Sequence, residues 1–256
     1  MNDLLGIYAL WYREYKVFLR ERSRLVASVV NPVLWLLIIG GGFGSVVSFG
    51  NVSFLTFLFP GILVQLSLFS AIFFGVYIVW DKKIDFLKEV LVSPLSRTSI
   101  FIGKVLGGST DTLIQLAILL VLGYIFSLTG IMETLPLSVN AIVLVLAFLF
   151  VITAGFASVG LILGSQMESP EGFQLISSFL VTPMFFLSGA LFPIDNLPGW
   201  LMPFVLLNPA TYAVDGIRGV LVGLHQFSIG FDFLVVCLFS GVMILAGTYA
   251  FEKMRL

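Results

Sequence analysis

The chain has 256 residues, 59% of them hydrophobic and 11% charged, with a mean hydropathy of +1.11. Ordinary soluble domains are roughly 45–50% apolar and about 25% charged, so a soluble fold of this length has nowhere to hide so much apolar surface. The net charge of -1 gives no sign of a nucleic-acid partner, and a single cysteine, Cys237, with a single histidine, His225, excludes an internal disulfide and a metal site of the usual four-ligand kind.

Residues 1–24 mix aromatic and charged side chains and lack the short apolar core and small-residue cleavage site of a secretory leader, so the first apolar stretch is expected to stay as an anchor. Tyr8, Trp11, Tyr12, Tyr15, Phe18 and Leu19 recur at spacings of three and four, and Arg13, Lys16, Arg20 and Arg24 form a second stripe. The pattern predicts an amphipathic helix over residues 1–24 in the headgroup plane, its cations on anionic lipid and its aromatics at the acyl boundary. Trp11, Arg13, Tyr15, Lys16 and Arg20 are its candidate interface residues. The helix either anchors the chain and fixes its topology or shields a lateral opening of a transport path.

A spanning helix needs about 20 mostly apolar residues to cross about 30 Å of hydrocarbon. Six stretches qualify: Leu25–Phe49, Phe54–Trp80, Val105–Leu128, Ala141–Gly164, Phe173–Phe192 and Phe231–Phe251. The expected fold class is an all-α polytopic membrane protein with six transmembrane helices, a single domain over residues 25–256. Leu197–Leu224 is also apolar, but Pro198, Pro203 and Pro209 interrupt it and Asp215 and Arg218 lie within it. It reads as a re-entrant helical hairpin between the fifth and sixth spans, tolerable where protein covers the loosened backbone.

Of the thirteen basic residues, all but Arg218 fall before the first span, around the loop after the second, or after the sixth. Six spans put those three segments on one side, and the positive-inside rule makes that side the cytoplasm. The loops after the first and third spans carry no basic residue and face out, as does the hairpin; the fourth loop, with Glu168 and Glu171, is cytoplasmic by count.

The loop from Asp81 to Lys104 is the most informative segment. Phe86, Leu87, Val90 and Leu91 would share one face of a two-turn helix, Lys88 and Glu89 point elsewhere, and Pro94 ends it. A second helix starts near Ser96 or Thr98 as N-cap and enters the membrane. The apolar face below the bilayer calls either for a groove on a partner protein or for the chain's own N-terminal helix.

Asp111 lies roughly two turns inside the third span and is a candidate intramembrane polar site. Pairing with Lys104 or exposure to a hydrated vestibule would account for it equally. Gln65, Gln115, Thr153 and Gln174 are further polar residues in spans and read as interhelical hydrogen-bond partners. Gly103 with Gly107, and Gly160 with Gly164, have the spacing that lets helices approach closely. A Walker A loop is missing: Gly103-Lys104 is followed by Val105, and Thr98 stands where the first glycine belongs. No nucleophile, base and orienter set is present, so no catalytic residue is assigned.

FPGILV at Phe59–Val64, LKEVLVSPLSRTSIFIGKVL at Leu87–Leu106 and FLSGALFPIDNLPGWLMPFVLLNPATYAVDGIRG at Phe186–Gly219 resemble the permeases of type 2 ABC transporters over nearly the whole chain. That group includes daunorubicin-resistance-like drug exporters and polysaccharide or nodulation-factor exporters. The resemblance implies a homodimer or pseudo-dimer of six-helix permeases on two cytoplasmic ABC ATPase subunits, with ATP and Mg²⁺ held by the ATPase and no cofactor in this chain. It also implies that Glu89–Arg97 resembles the coupling helix that docks on the ATPase. With the predicted apolar face, the coupling residues are Phe86, Leu87, Glu89, Val90, Leu91, Ser93, Pro94 and Arg97. Pro193–Leu224 resembles the family's extracellular re-entrant pair, and substrate would pass outward between two permeases along the second and fifth spans.

The expected function is a permease subunit that moves a hydrophobic or amphipathic molecule, a drug, lipid or lipid-linked glycan, outward across the cell membrane. A proton-coupled secondary transporter working through Asp111 and a membrane scaffold without transport are the competing readings. Sparse midplane charge and the lack of an inverted repeat weigh against the first of these.

Overall fold

The computed structural model describes residues 3–44, 48–49, 52–92, 94–133, 135 and 138–254. Ser93 and the side chains of Arg24, Lys88 and Leu91, all named above, lie outside the described residues.

The chain opens with α1 (Asp3–Arg20), then α2 (Arg22–Trp35), which runs through a π-helical turn (Leu36–Gly40) into α3 (Gly41–Gly44). A two-residue antiparallel pair, β1 (Ser48–Phe49) with β2 (Val52–Ser53), leads to α4 (Phe54–Phe73), whose first turn is capped by the Ser53 hydroxyl. After a break at Phe74 and Gly75 the same rod continues as α5 (Val76–Lys83). Asp85, in the left-handed region at φ 58°, turns the chain into α6 (Phe86–Val92). Then come α7 (Arg97–Leu128), α8 (Val139–Gln166) and α9 (Pro170–Phe186), capped by Ser96, Ser138 and Ser169. Single turns at Ile194–Asn196 and Gly199–Leu201 precede α10 (Met202–Leu207) and α11 (Pro209–Val222), which Asn208 separates, and α12 (Ile229–Glu252) closes the chain.

Among the described residues, five helices are long and apolar enough to cross a membrane: Leu25–Gly44, Phe54–Lys83, Arg97–Leu128, Val139–Gln166 and Ile229–Glu252. The expected span Phe173–Phe192 falls on α9, which has 17 residues. At 1.5 Å per residue it reaches only about 26 Å. The difference arises at its far end, where the chain leaves the helix at Leu187 and Gly189 takes a left-handed φ of 73°. The third long helix, in turn, starts eight residues before the apolar stretch does, because Ser96 accepts a hydrogen bond from the Ser99 amide and sets the boundary.

α4 is buried on nearly every side and packs on α7, α8, α9 and α11, as an all-round hydrophobic helix must. Where the rod of α4 and α5 bends, α8 crosses it backbone to backbone. A Cβ on Gly75 would lie 2.0 Å from the Gly160 carbonyl oxygen, and one on Gly164 would lie 2.2 Å from that of Gly75. The Gly160–Gly164 spacing is thus the seat of this crossing.

A second, smaller core gathers at the end of the bundle that carries α1, α6 and the C-terminus of α12. It contains Leu10, Phe74, Ile78, Leu87, Val90, Ile100, Phe101 and Phe251. Leu87 is fully buried here and Val90 nearly so. Of the two covers open to the apolar face of the loop helix, a partner's groove or the chain's own N-terminal helix, Leu87 and Val90 have the second kind: they are buried within the chain, in one cluster with Leu10 of α1. The stripe on α1 is corrected. Its buried line is Gly6, Leu10, Glu14 and Phe18, facing α7, whereas Tyr8 and Tyr12 are exposed. Gly103 and Gly107 make the approach possible, since a Cβ on either would come within 3.0 Å or less of Leu10 or Glu14.

Candidate functional site

A cavity of about 810 Å³ lies between α2, α4, α5, α7 and α9. Its wall on the second rod is Phe69, Phe73, Tyr77 and Trp80, at helical spacings of four, four and three. Trp35 and Phe173 face this row from α2 and α9. The Phe185 ring meets two rings of the cavity wall edge-on, Trp35 at 6.2 Å and Phe69 at 6.4 Å between centroids, both nearly perpendicular.

Polar residues interrupt this apolar wall: Ser28, Asn31, Gln65, Ser70, Gln115, Glu171 and Gln174. Gln115 is fully buried, and among the described residues neither its oxygen nor its nitrogen has a hydrogen-bond partner; the Gln65 oxygen is likewise unsatisfied. Both line the cavity. Buried amides without partners are rare and costly, and these two sit in the cavity wall with the unsatisfied atoms themselves buried. Periodicity marked Gln65, Gln115 and Gln174 as interhelical partners; the structure instead sets all three on the cavity wall. Thr153 behaves as read from sequence, sharing a 2.7 Å hydrogen bond with Ser67.

At the α1 end a buried ionic knot ties the helices together. The Lys104 ammonium, fully buried, donates to Asp81 at 2.6 Å and to Glu14 at 3.0 Å. Arg13 completes the ring, at 2.7 Å from Glu14 and 3.1 Å from Asp81. Its guanidinium also lies 3.9 Å over the ring of Phe86, joining α6 to α1. Lys104 therefore serves Glu14 and Asp81. Asp111, further along the same helix, is 2% exposed.

The remaining candidates divide by contact. Trp11 donates to Thr110 and stacks with Tyr15 at 5.8 Å, while Lys16 and Arg20 stay exposed on the outer side of α1. Arg97 is used as a cap: its Nη1 donates to the carbonyls of Glu252 and Met254, both at 2.8 Å, satisfying the end of α12. Lys82 does the same for α8, reaching the carbonyls of Gly164, Ser165 and Met167. Glu89 and Pro94 are exposed, and with them Val92 at 85% and Ile84 at 65%. Composition could not single out Glu14, Asp81 or Lys82, since each finds its partner across 68 residues or more or across a loop.

Comparison with known proteins fits this geometry. The profile of the family described as ABC-2 type transporter matches residues 6–222. The chain is 34% identical to a putative transport permease, ycf38, of Porphyra purpurea, over 83% of this chain and 72% of that protein. It is 24% identical to nodulation protein J of Rhizobium leguminosarum bv. viciae over 95% and 93% of the two chains. It is 25% identical to a probable doxorubicin resistance ABC transporter permease protein, DrrC, of Mycobacterium tuberculosis over 80% and 72%.

Proposed function

The chain belongs to the ABC-2 type transporter family and is an ABC transporter membrane subunit, and from that premise we propose that it is an exporter permease driven by a separate ATPase. In this reading two permease copies form a six-span-per-copy homodimer on two ABC ATPase subunits, which bind the ATP and Mg²⁺. α9, together with the turn that follows it, serves as the fifth span, and α10 with α11 forms the extracellular re-entrant pair. The end bearing the basic residues of α1, α5 and the start of α7, with Lys253 just after α12, faces the cytoplasm, and the chain sits in the cell membrane. Substrate is a hydrophobic or amphipathic molecule, a drug, lipid or lipid-linked glycan, that enters the cavity from the cytoplasm or inner leaflet and leaves outward.

The observation that carries the proposal is the cavity itself: an aromatic row on the rod of α4 and α5, faced by α2 and α9, with Asn31, Gln65, Ser70, Gln115 and Gln174 among its lining. An apolar chamber with a few convergent polar groups is what an amphipathic ligand requires. The ATPase contact is assigned to the loop helix α6 and its flanks. Because Leu87 and Val90 are consumed by the chain's own core, the docking surface consists of Ile84, Glu89, Val92 and Pro94, with Phe86 and Arg97 bracing it from behind.

The test is ATP-dependent uptake of labelled amphiphiles into inside-out vesicles that hold the permease with its ATPase. Gln115→Phe, which fills the chamber, should abolish uptake while the ATPase still copurifies. Undiminished uptake by that assembled variant would remove the cavity from the path.

A further inference from the structure

Among the described residues, Arg218 is the one lysine or arginine remote from the α1 end of the bundle. It sits on α11 at 5% exposure, yet among the described residues no carboxylate accepts a hydrogen bond from it. Its Nε donates to the carbonyl of Phe57, at the start of α4, at 3.2 Å. One Nη donates to the carbonyls of Gly189 and Ala190, in the turn that ends α9, at 2.9 and 3.3 Å. The guanidinium plane lies 3.8 Å over the Phe57 ring. One side chain therefore holds the outer ends of the two helices, α4 and α9, that form opposite walls of the cavity.

The contact it secures leaves no slack. A Cβ on Gly61 would lie 2.6 Å from the Ala190 Cβ and 2.8 Å from its Cα, so α4 meets the turn after α9 at backbone distance. Phe185, five residues before Ala190, packs edge-on against Trp35 and Phe69 of the cavity wall. Asp215, one turn earlier on α11, fixes the platform: its carboxylate accepts from the amides of Gln226 and Phe227, both at 2.9 Å or less, and so ties α11 to the loop before α12.

We infer that Arg218 is the positioning residue that keeps the cavity shut on the outer side, and that outward release requires its hydrogen bonds to the α9 turn to break. A planar guanidinium can bond carbonyls on two elements at once, which a lysine ammonium cannot reproduce with the same geometry. The inference rests on the cavity being the substrate's path.

The experiment reads access rather than transport. In a Cys237→Ala background, Gln65→Cys places a single thiol in the cavity wall. Complexes in right-side-out vesicles without nucleotide are exposed to a membrane-impermeant thiol reagent. The parent should label slowly from outside and quickly in inside-out vesicles. Arg218→Gln removes charged donors to three carbonyls and should raise outside labelling about tenfold or more, with Arg218→Lys between the two. Gly61→Ala keeps the guanidinium but intrudes on Ala190, and should open the outer side in the same direction; it decides the matter if Arg218→Gln does not assemble. Outside labelling at the parent rate in these variants, with the ATPase still bound, would overturn the inference. Labelling that follows Arg218 while transport survives blockage of the Gln65→Cys thiol would instead fail the path reading and leave the clamp standing.

Discussion

Lys104 of α7 and Glu14 of α1 meet at 3.0 Å in a fully buried ion pair, although 90 residues separate them. With Asp81 and Arg13 the pair makes a ring of alternating charge. The amphipathic N-terminal helix is thereby fastened to the second and third long helices, and through Arg13 and Phe86 to the loop helix as well.

Removing one member of such a ring leaves uncompensated charge. Lys104→Met is expected to destabilise the protein by about 3–5 kcal/mol, seen as a lower melting temperature of the purified permease in detergent. The double variant Glu14→Gln with Lys104→Met leaves Arg13 facing Asp81 and should recover most of that loss. Equal melting of the single variant and the parent would show that the ring contributes nothing to stability.

How much of this was legible beforehand depends on the range of the interaction. Five of the six expected spans, the Ser96 cap out of the two candidates Ser96 and Thr98, and the Gly160–Gly164 crossing come from local pattern and are visible in the structure. The acid in the buried stripe of α1 is not, because Glu14 is acceptable there only when Lys104 and Arg13 arrive from other segments or turns. The same holds for Arg97, whose position in a matched motif suggested docking but whose donors cap α12. The cavity was legible only as scattered glutamines and aromatics, since no periodicity states which helix faces are left apart.

Asp111 supports a second prediction. If ATP supplies the energy, Asp111→Asn should keep ATP-dependent uptake per folded complex within about twofold of the parent, even where the substitution of this buried carboxylate lowers yield, and uptake should not respond to a protonophore. Uptake that is lost in the variant and collapses with the proton gradient in the parent would favour the proton-coupled reading.

Topology is tested by labelling. In the Cys237→Ala background, Glu89→Cys should resist an impermeant thiol reagent in intact cells, whereas Gln226→Cys should react, because exposed Glu89 and Gln226 lie at opposite ends of the bundle. Reaction of the Glu89→Cys thiol from outside would invert the assignment made from basic residues.

The last prediction separates docking from folding within the same short helix. Val92 and Ile84 are 85% and 65% exposed, whereas Leu87 is fully buried beside Ile78 and Phe101 in the second core. Burying an exposed side chain of this size at an interface is worth roughly 1.5–3 kcal/mol. Ile84→Asp with Val92→Asp should therefore weaken ATPase binding at least about tenfold while the permease keeps its yield and melting temperature. Leu87→Asp should do the reverse in order: a charge placed without a partner in that core lowers yield and melting temperature first, and ATPase binding falls only as folded permease is lost. Titrating purified ATPase against each detergent-solubilised variant gives the affinity, and a thermal scan of the same samples gives the stability. Unchanged affinity in the stable double aspartate variant would place the ATPase contact somewhere other than α6 and its flanks.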